Sequence, residues 1–246
     1  MREGAEAIRA EVRLGIDGEP VHLDIVVPDG PTRLWELWPV LQGLADLMVD
    51  VGSERAERQG RSISCREGCG ACCRQPVPVA ESEALALKRL VEELPEPRQS
   101  VVRARFAAAV ERLEAAGLLE TLRRPADLKS QELGPFSHAY FDLGLACPFL
   151  EDESCSIHAE RPLACREFLV SSPAECCSTP SDETVERLTL PAGTFRAVRA
   201  LDAHANASAG WTTLVLALEW SGEAPERPSL AWLNEVLSRV ASRPSH

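Results

Sequence analysis

Residues 65–74 read CREGCGACCR and residues 147–168 read CPFLEDESCSIHAERPLACREF. With Cys176 and Cys177, these two windows hold all nine cysteines of a chain of 246 residues. Four thiols within nine residues are mutually awkward in an apolar core. A spacing such as that of Cys69 and Cys72 instead aims two thiolates, and the backbone N–H groups of the turn between them, at one point. Gly68 and Gly70 fit such a turn, since backbone folded tightly around a metal or cluster often needs positive φ. The second window is spaced more widely, so its ligands come from separate loops and the site depends on the fold. That spacing predicts that the windows meet in space, because the second cannot build a compact four-thiolate site unaided. Together they supply enough sulfur for two four-thiolate sites, or for one polynuclear site and one structural site. Thiolates favour iron–sulfur clusters or Zn²⁺ over hard cations, and ligand type alone does not separate the two.

The composition narrows the classes further. Apolar residues make up 45% of the chain, so a sizeable core forms and wholesale disorder is excluded. The 26 basic residues face 38 acidic ones, a net charge of −12 that argues against general nucleic-acid binding. The longest apolar stretch, 211–220 (WTTLVLALEW), is half of the ~20 residues a bilayer needs. The start, MREGAEAIRA, shows no apolar core of a secretory signal. The expected location is therefore cytoplasmic, without membrane contact. In a reducing compartment clustered thiols bind metal more often than they form disulfides.

Around the cysteines the periodicity is mostly helical. Residues 11–28 alternate as two strands with Asp17-Gly18 at the join, which predicts a β-hairpin. From Leu34 the stripe Leu37/Trp38, Leu41, Leu44 and Met48 predicts a helix, with Thr32 as cap and Pro39 either kinking it or marking its first turn. Further helices are predicted at about 82–94, 98–116 (with Gly117 at C′), 194–207 and 211–220, with another turn or two at 118–124. A last helix runs from Ser229 as N-cap through Val240. The segment 135–179 has no sustained period and reads as loops and short helices pinned by ligands. The fold class is thus mainly α, with a hairpin segment at 1–30 and one helical cysteine-cluster domain at 31–246.

Other residues near the cysteines have more ordinary readings. His158 orients or packs rather than ligates, and His138, Tyr140 and Asp142 pack in a loop. Glu151, Asp152 and Glu153 form a solvated loop tip. Arg161 and Arg166 flank the second window and either offset thiolate charge, as cofactor-binding residues, or pair with Glu160 and Glu167 at the surface.

GCGACC followed by CPFL, CSIHAERPLACREF and a later cysteine resembles the YkgJ-type cysteine-cluster family, also described as CxxCxxCC zinc- or iron-chelating proteins. The first spacing is x3 where the family commonly has x2, and His158 stands where it often has Tyr. The resemblance implies metal ligation by Cys65, Cys69, Cys72 and Cys73 in the first block. In the second it implies Cys147, Cys155, Cys165 and one of Cys176 and Cys177. Spacing favours Cys176 and leaves Cys177 spare. Cys147-Pro148 is similar to the Cys-Pro step of ferredoxin loops, where proline ends the turn and shields the cluster. The implied cofactor is an iron–sulfur cluster, expected as [4Fe-4S], or zinc. The corresponding functions are a redox or protein-modification role for a cluster, or a structural zinc module without catalysis. A third is a lysine N-methylase-like enzyme, because flagellin lysine N-methylase shares such a motif. No glycine-rich adenosylmethionine loop follows a strand here.

Overall fold

Apolar alternation at the start of the chain does make a hairpin. In the computed structural model, which describes residues 6–16, 19–181, 183–222 and 224–241, β1 (Ala7–Ile16) pairs antiparallel with β2 (Glu19–Pro28), from Ala7 opposite Pro28 to Ile16 opposite Glu19. The Asp17-Gly18 join lies outside the described residues. Leu14, Ile16, Ile25 and Val27 point inward and share one apolar cluster with the helices that follow.

A short β3 (Pro31–Thr32) and a 3-10 turn at Leu34–Leu37 lead into α1 (Trp38–Arg58). Pro39 sits in the first turn of α1, where its missing N–H costs nothing. Thr32 does not cap this helix. Its hydroxyl meets that of Ser229 at 3.0 Å, and its carbonyl accepts the Trp232 indole N–H at 2.9 Å. The predicted helices then appear in order: α2 (Glu81–Glu93) after the short β4 (Pro78–Ala80), α3 (Arg98–Ala115) and α4 (Leu119–Arg123).

The segment read as loops holds one more helix, α5 (Ser130–Asp142), which runs through Pro135. Splitting the sequence at that proline hid the spacing of Phe136, Tyr140 and Leu143, which together pack against α3 and α4. The remainder is irregular as predicted: β5 (Leu150–Glu151) and β6 (Ser154–Cys155) form a tiny hairpin, and α6 (Leu163–Glu167) is barely more than one turn. After α7 (Thr194–Asn206), the buried stretch predicted as a helix at 211–220 is instead β7 (Trp211–Thr213) followed by a 3-10 turn at Leu214–Glu219. β7 pairs with β4, Thr212 opposite Val79, and Leu214 N–H continues the ladder to Val77 at 2.8 Å. Its two threonines suit a strand, and the extended chain around Val77 offers unpaired backbone. The chain closes with β8 (Arg227–Pro228), paired to β3, and α8 (Ser229–Ala241). Ser229 is the first residue of α8 rather than its cap, and its hydroxyl serves Thr32 and Gly30.

Among the helices that begin without a polar capping residue of their own, three are linked: Ala80 precedes α2, Pro162 precedes α6 and Gly193 precedes α7. Their N–H groups are satisfied by carboxylates from one another. Asp202 of α7 accepts Ser82 N–H at 2.8 Å and Ser82 Oγ–H at 2.9 Å. Glu83 of α2 accepts Ala80 N–H and, across 80 residues of sequence, Leu163 N–H of α6, both at 2.8 Å. Glu167 of α6 accepts the N–H groups of Thr194 and Phe195, the latter at 3.1 Å, and so caps α7. The three caps close a ring, α7 to α2 to α6 to α7. Burial pushes Glu83 up to about 8 and Asp202 up to about 7, against the downward pull of the N–H groups they accept.

Two outcomes test the ring. Glu83→Ala strands two buried N–H groups and is expected to cost about 2–5 kcal/mol, against about 0.5 kcal/mol for Glu92→Ala on the exposed face of α2, measured by denaturant unfolding. The raised carboxyl values also fix a pH sign. The neutral acids contribute their full stability below the ordinary carboxyl range, and this is lost as pH rises through about 7 to 8. Asp202→Asn, whose amide oxygen still accepts from Ser82, should therefore match the native protein near pH 3, below the ordinary carboxyl range, and exceed it at pH 9. An identical pH profile for the two proteins would disprove this.

Candidate metal centre

The cysteines lie on five pieces of backbone. Cys65, Cys69, Cys72 and Cys73 line the loop between α1 and β4. Cys147 follows α5, Cys155 is in β6 and Cys165 is in α6, while Cys176 and Cys177 lie in a 3-10 turn at Ala174–Ser178. All nine are free thiols.

The two windows do meet. Cys147 N–H donates to the Cys73 carbonyl at 2.8 Å, joining residues 74 positions apart. Gly70 lies flush against the β5–β6 turn, where a Cβ would stand 2.5 Å from the Glu153 carbonyl oxygen. Its partner Gly68 takes φ +83°, so the two glycines serve different needs, one a turn and one a close approach. Arg74 then closes the junction with a two-pronged ion pair to Glu153, at 3.0 and 2.5 Å. On the other side, Ser64 N–H reaches Val170 O at 2.9 Å and Val170 N–H points at Cys65 Sγ at 3.4 Å. The loop holding Cys65 is thereby fixed to the chain just beyond Cys165.

The second window is clamped to α3 by arginines that the sequence reading passed over. Arg98 donates to Ser156 O at 2.8 Å, Arg105 to Pro148 O at 3.2 Å and to Glu151 at 3.1 Å, and Arg112 to Leu143 O. They stand seven residues apart, so they fall on one stripe of the helix; that spacing is the signal that would have found them. Glu151 and Glu153 are accordingly partners of Arg105 and Arg74 and not a merely solvated tip. Tyr140 is buried, on α5 and not in a loop.

Burial dominates the chemistry of the thiols. It pushes Cys147 up to about 12 and Cys177 up to about 11, and lifts Cys65, Cys155 and Cys165 as well. Cys72 is driven up first by its hydrogen bond with the Cys73 sulfur and then by burial. Cys72 is also the common neighbour, within electrostatic range of Cys65, Cys147, Cys155, Cys165 and Cys177, which come from both windows and from the 3-10 turn. Of the final pair, Cys177 is the buried one, under the influence of Cys72, Cys65 and Cys69, whereas Cys176 is half-buried. Cys147 and Cys155 pack against the apolar cluster of Val79, Phe106, Phe149 and Ile157, and Cys65 against that of Ala56, Leu169 and Leu188.

The donor set fits a thiophilic metal: sulfur-rich, free of disulfides, shielded by apolar side chains and supplied with backbone N–H near sulfur. Among the described residues, no three Cys, His, Asp or Glu side chains stand close enough to share one ion as placed. Protonated thiols have no reason to crowd, and a metal that deprotonates them would draw them inward. His158 is engaged elsewhere, its Nε2 meeting Arg161 Nη1, and burial holds its pKa below the usual value. Arg166 is engaged too. It grips Asp46 of α1 at 2.6 and 2.7 Å and also donates to Arg161 O and Ala159 O, so its pairing is with Asp46 rather than Glu160 or Glu167.

No helix among the described residues is long and apolar enough to cross a membrane. No curated protein and no solved structure matches the chain. One family model does, over residues 64–181, just under half of the chain: CxxCxxCC, described as a putative zinc- or iron-chelating domain. The matched span opens one residue before Cys65 and runs past Cys177, taking in every cysteine and every bond that joins the two windows. Over residues 64–181 the chain is thus similar to the CxxCxxCC family of zinc- or iron-chelating domains.

Proposed function

We propose that the protein holds an iron–sulfur cluster on thiolates drawn from both windows, with a role in electron transfer or in a redox-dependent modification. The observation that carries the reading is the bond from Cys147 N–H to the Cys73 carbonyl, which puts the two cysteine windows in one place. Nine thiols exceed the four that a structural zinc ion takes, and the apolar shell around Cys147 and Cys155 is the shelter a cluster needs. A bound cluster supplies one-electron chemistry. The chain supplies the thiolates, the N–H groups and the exclusion of water. The ligands proposed are Cys65, Cys69, Cys72, Cys73, Cys147, Cys155 and Cys165, with Cys177 preferred to Cys176 on grounds of burial. A zinc centre is the second reading, favoured by the all-sulfur donor set.

Anaerobic purification followed by metal and acid-labile sulfide analysis tests the proposal. Iron with matching sulfide and visible absorption supports it, zinc without sulfide supports the second reading, and neither metal refutes both. Cys72→Ser is expected to lower metal content and melting temperature together, because metal binding is coupled to folding. In the final pair, Cys177→Ala should lose metal while Cys176→Ala retains it; the opposite pattern returns the ligand role to Cys176.

A further prediction comes from the junction of the windows. Gly70→Ala pushes a methyl group into the Glu153 carbonyl, a backbone atom that cannot swing aside. It should cost about 1–3 kcal/mol and reduce metal content, whereas Gly68→Ala should be strained by its φ alone. Equal metal content in Gly70→Ala and the native protein would show that this contact does not hold the windows together.

A further inference from the structure

Arg161 stands four residues before Cys165. Its backbone is held firmly, since its carbonyl accepts from Arg166 Nε at 3.1 Å and from Gln42 Nε2 at 3.4 Å. Its side chain is less completely used. Nη1 donates to His158 Nε2, while Nε is buried with no partner among the described residues. A buried donor left unmade is costly, and a guanidinium normally presents its N–H groups to acceptors. The contrast with Arg166 is sharp, because that guanidinium is spent on Asp46 and two backbone carbonyls. Arg161 also lies between Cys155 of β6 and Cys165 of α6 in the chain, and within electrostatic range of three thiols, Cys65, Cys72 and Cys155. These three come from both windows. Four or more thiolates around a metal carry net negative charge, which a nearby fixed cation and a donor to sulfur would offset.

We infer that Arg161 is the counter-charge and hydrogen-bond donor of the thiolate metal centre, a positioning residue whose free N–H is kept for the bound group. The inference rests on the reading that these thiols hold a metal. Its consequence is a division of labour within one window: Arg166 ties α6 to α1, and Arg161 serves the centre.

The test uses the full-length, metal-free protein and Zn²⁺ alone as probe, with affinity measured against a chromophoric chelator. Arg161→Gln is expected to bind Zn²⁺ about 10- to 100-fold more weakly, the usual loss for a residue that supports metal ligands. Arg161→Lys, which restores the charge, should recover most of that loss. The melting temperatures of the metal-free proteins should stay close to the native value. Native affinity in Arg161→Gln overturns the inference, and so does a Lys variant no better than the Gln variant. Failure of the native protein itself to bind Zn²⁺ sinks the zinc reading and overturns this inference, while the iron–sulfur reading still stands or falls on the iron and sulfide analysis.

Discussion

The ring of carboxylates at three helix starts is the constraint on which the rest of the structure depends. A helix N-terminus exposes N–H groups that must find acceptors, and a preceding Ala, Pro or Gly provides none on its side chain. Asp202, Glu83 and Glu167 provide them across distances in sequence of 120, 80 and 27 residues. No member of the ring is satisfied by its own helix alone, so α2, α6 and α7 take their relative positions together. The short α6 would not persist by itself, since a single turn repays little of its own nucleation cost. Held at both ends by Glu83 and Glu167, it keeps Cys165 in place.

Around this ring the cysteine loops are fixed by cations and by backbone contacts rather than by periodic apolar packing. Arg98, Arg105 and Arg112 carry the second window along α3, Arg74 joins it to the first window, and Arg166 joins α6 to α1. Arginine suits the task because its planar fork satisfies two acceptors at once. Arg98, Arg105 and Arg112 end on main-chain carbonyls, the very groups that an irregular loop leaves without partners. Thus the loops are ordered with few apolar residues of their own, and the sulfurs need not be the sole source of that order.

Much of the fold was legible in the sequence because it follows from local periodicity. The alternation at 11–28 fixes a hairpin, and the stripes beginning at Leu34, Leu87 and Val102 fix α1, α2 and α3 to within a few residues. The exceptions have local causes. Pro135 broke the apparent period of α5, and the run from Trp211 became strand because an extended partner at Val77 and Val79 was available to pair with it. Ser229 and Thr32 have the residue types of helix caps, yet their hydroxyls are used on each other.

By itself the sequence determined the donor chemistry and the helical class: nine thiols in two windows, spaced for metal, set among amphipathic helices. Only the tertiary structure decided which cysteine-bearing pieces of backbone meet, which of Cys176 and Cys177 is buried, and which arginine is committed elsewhere. The physical reason is the range of the interactions. Periodicity reports contacts within a few residues, whereas the Cys147–Cys73 bond, the Gly70–Glu153 contact and the carboxylate caps all join residues far apart in sequence. Single directional bonds of that kind leave no repeating pattern to read, and they exist only once the chain has folded.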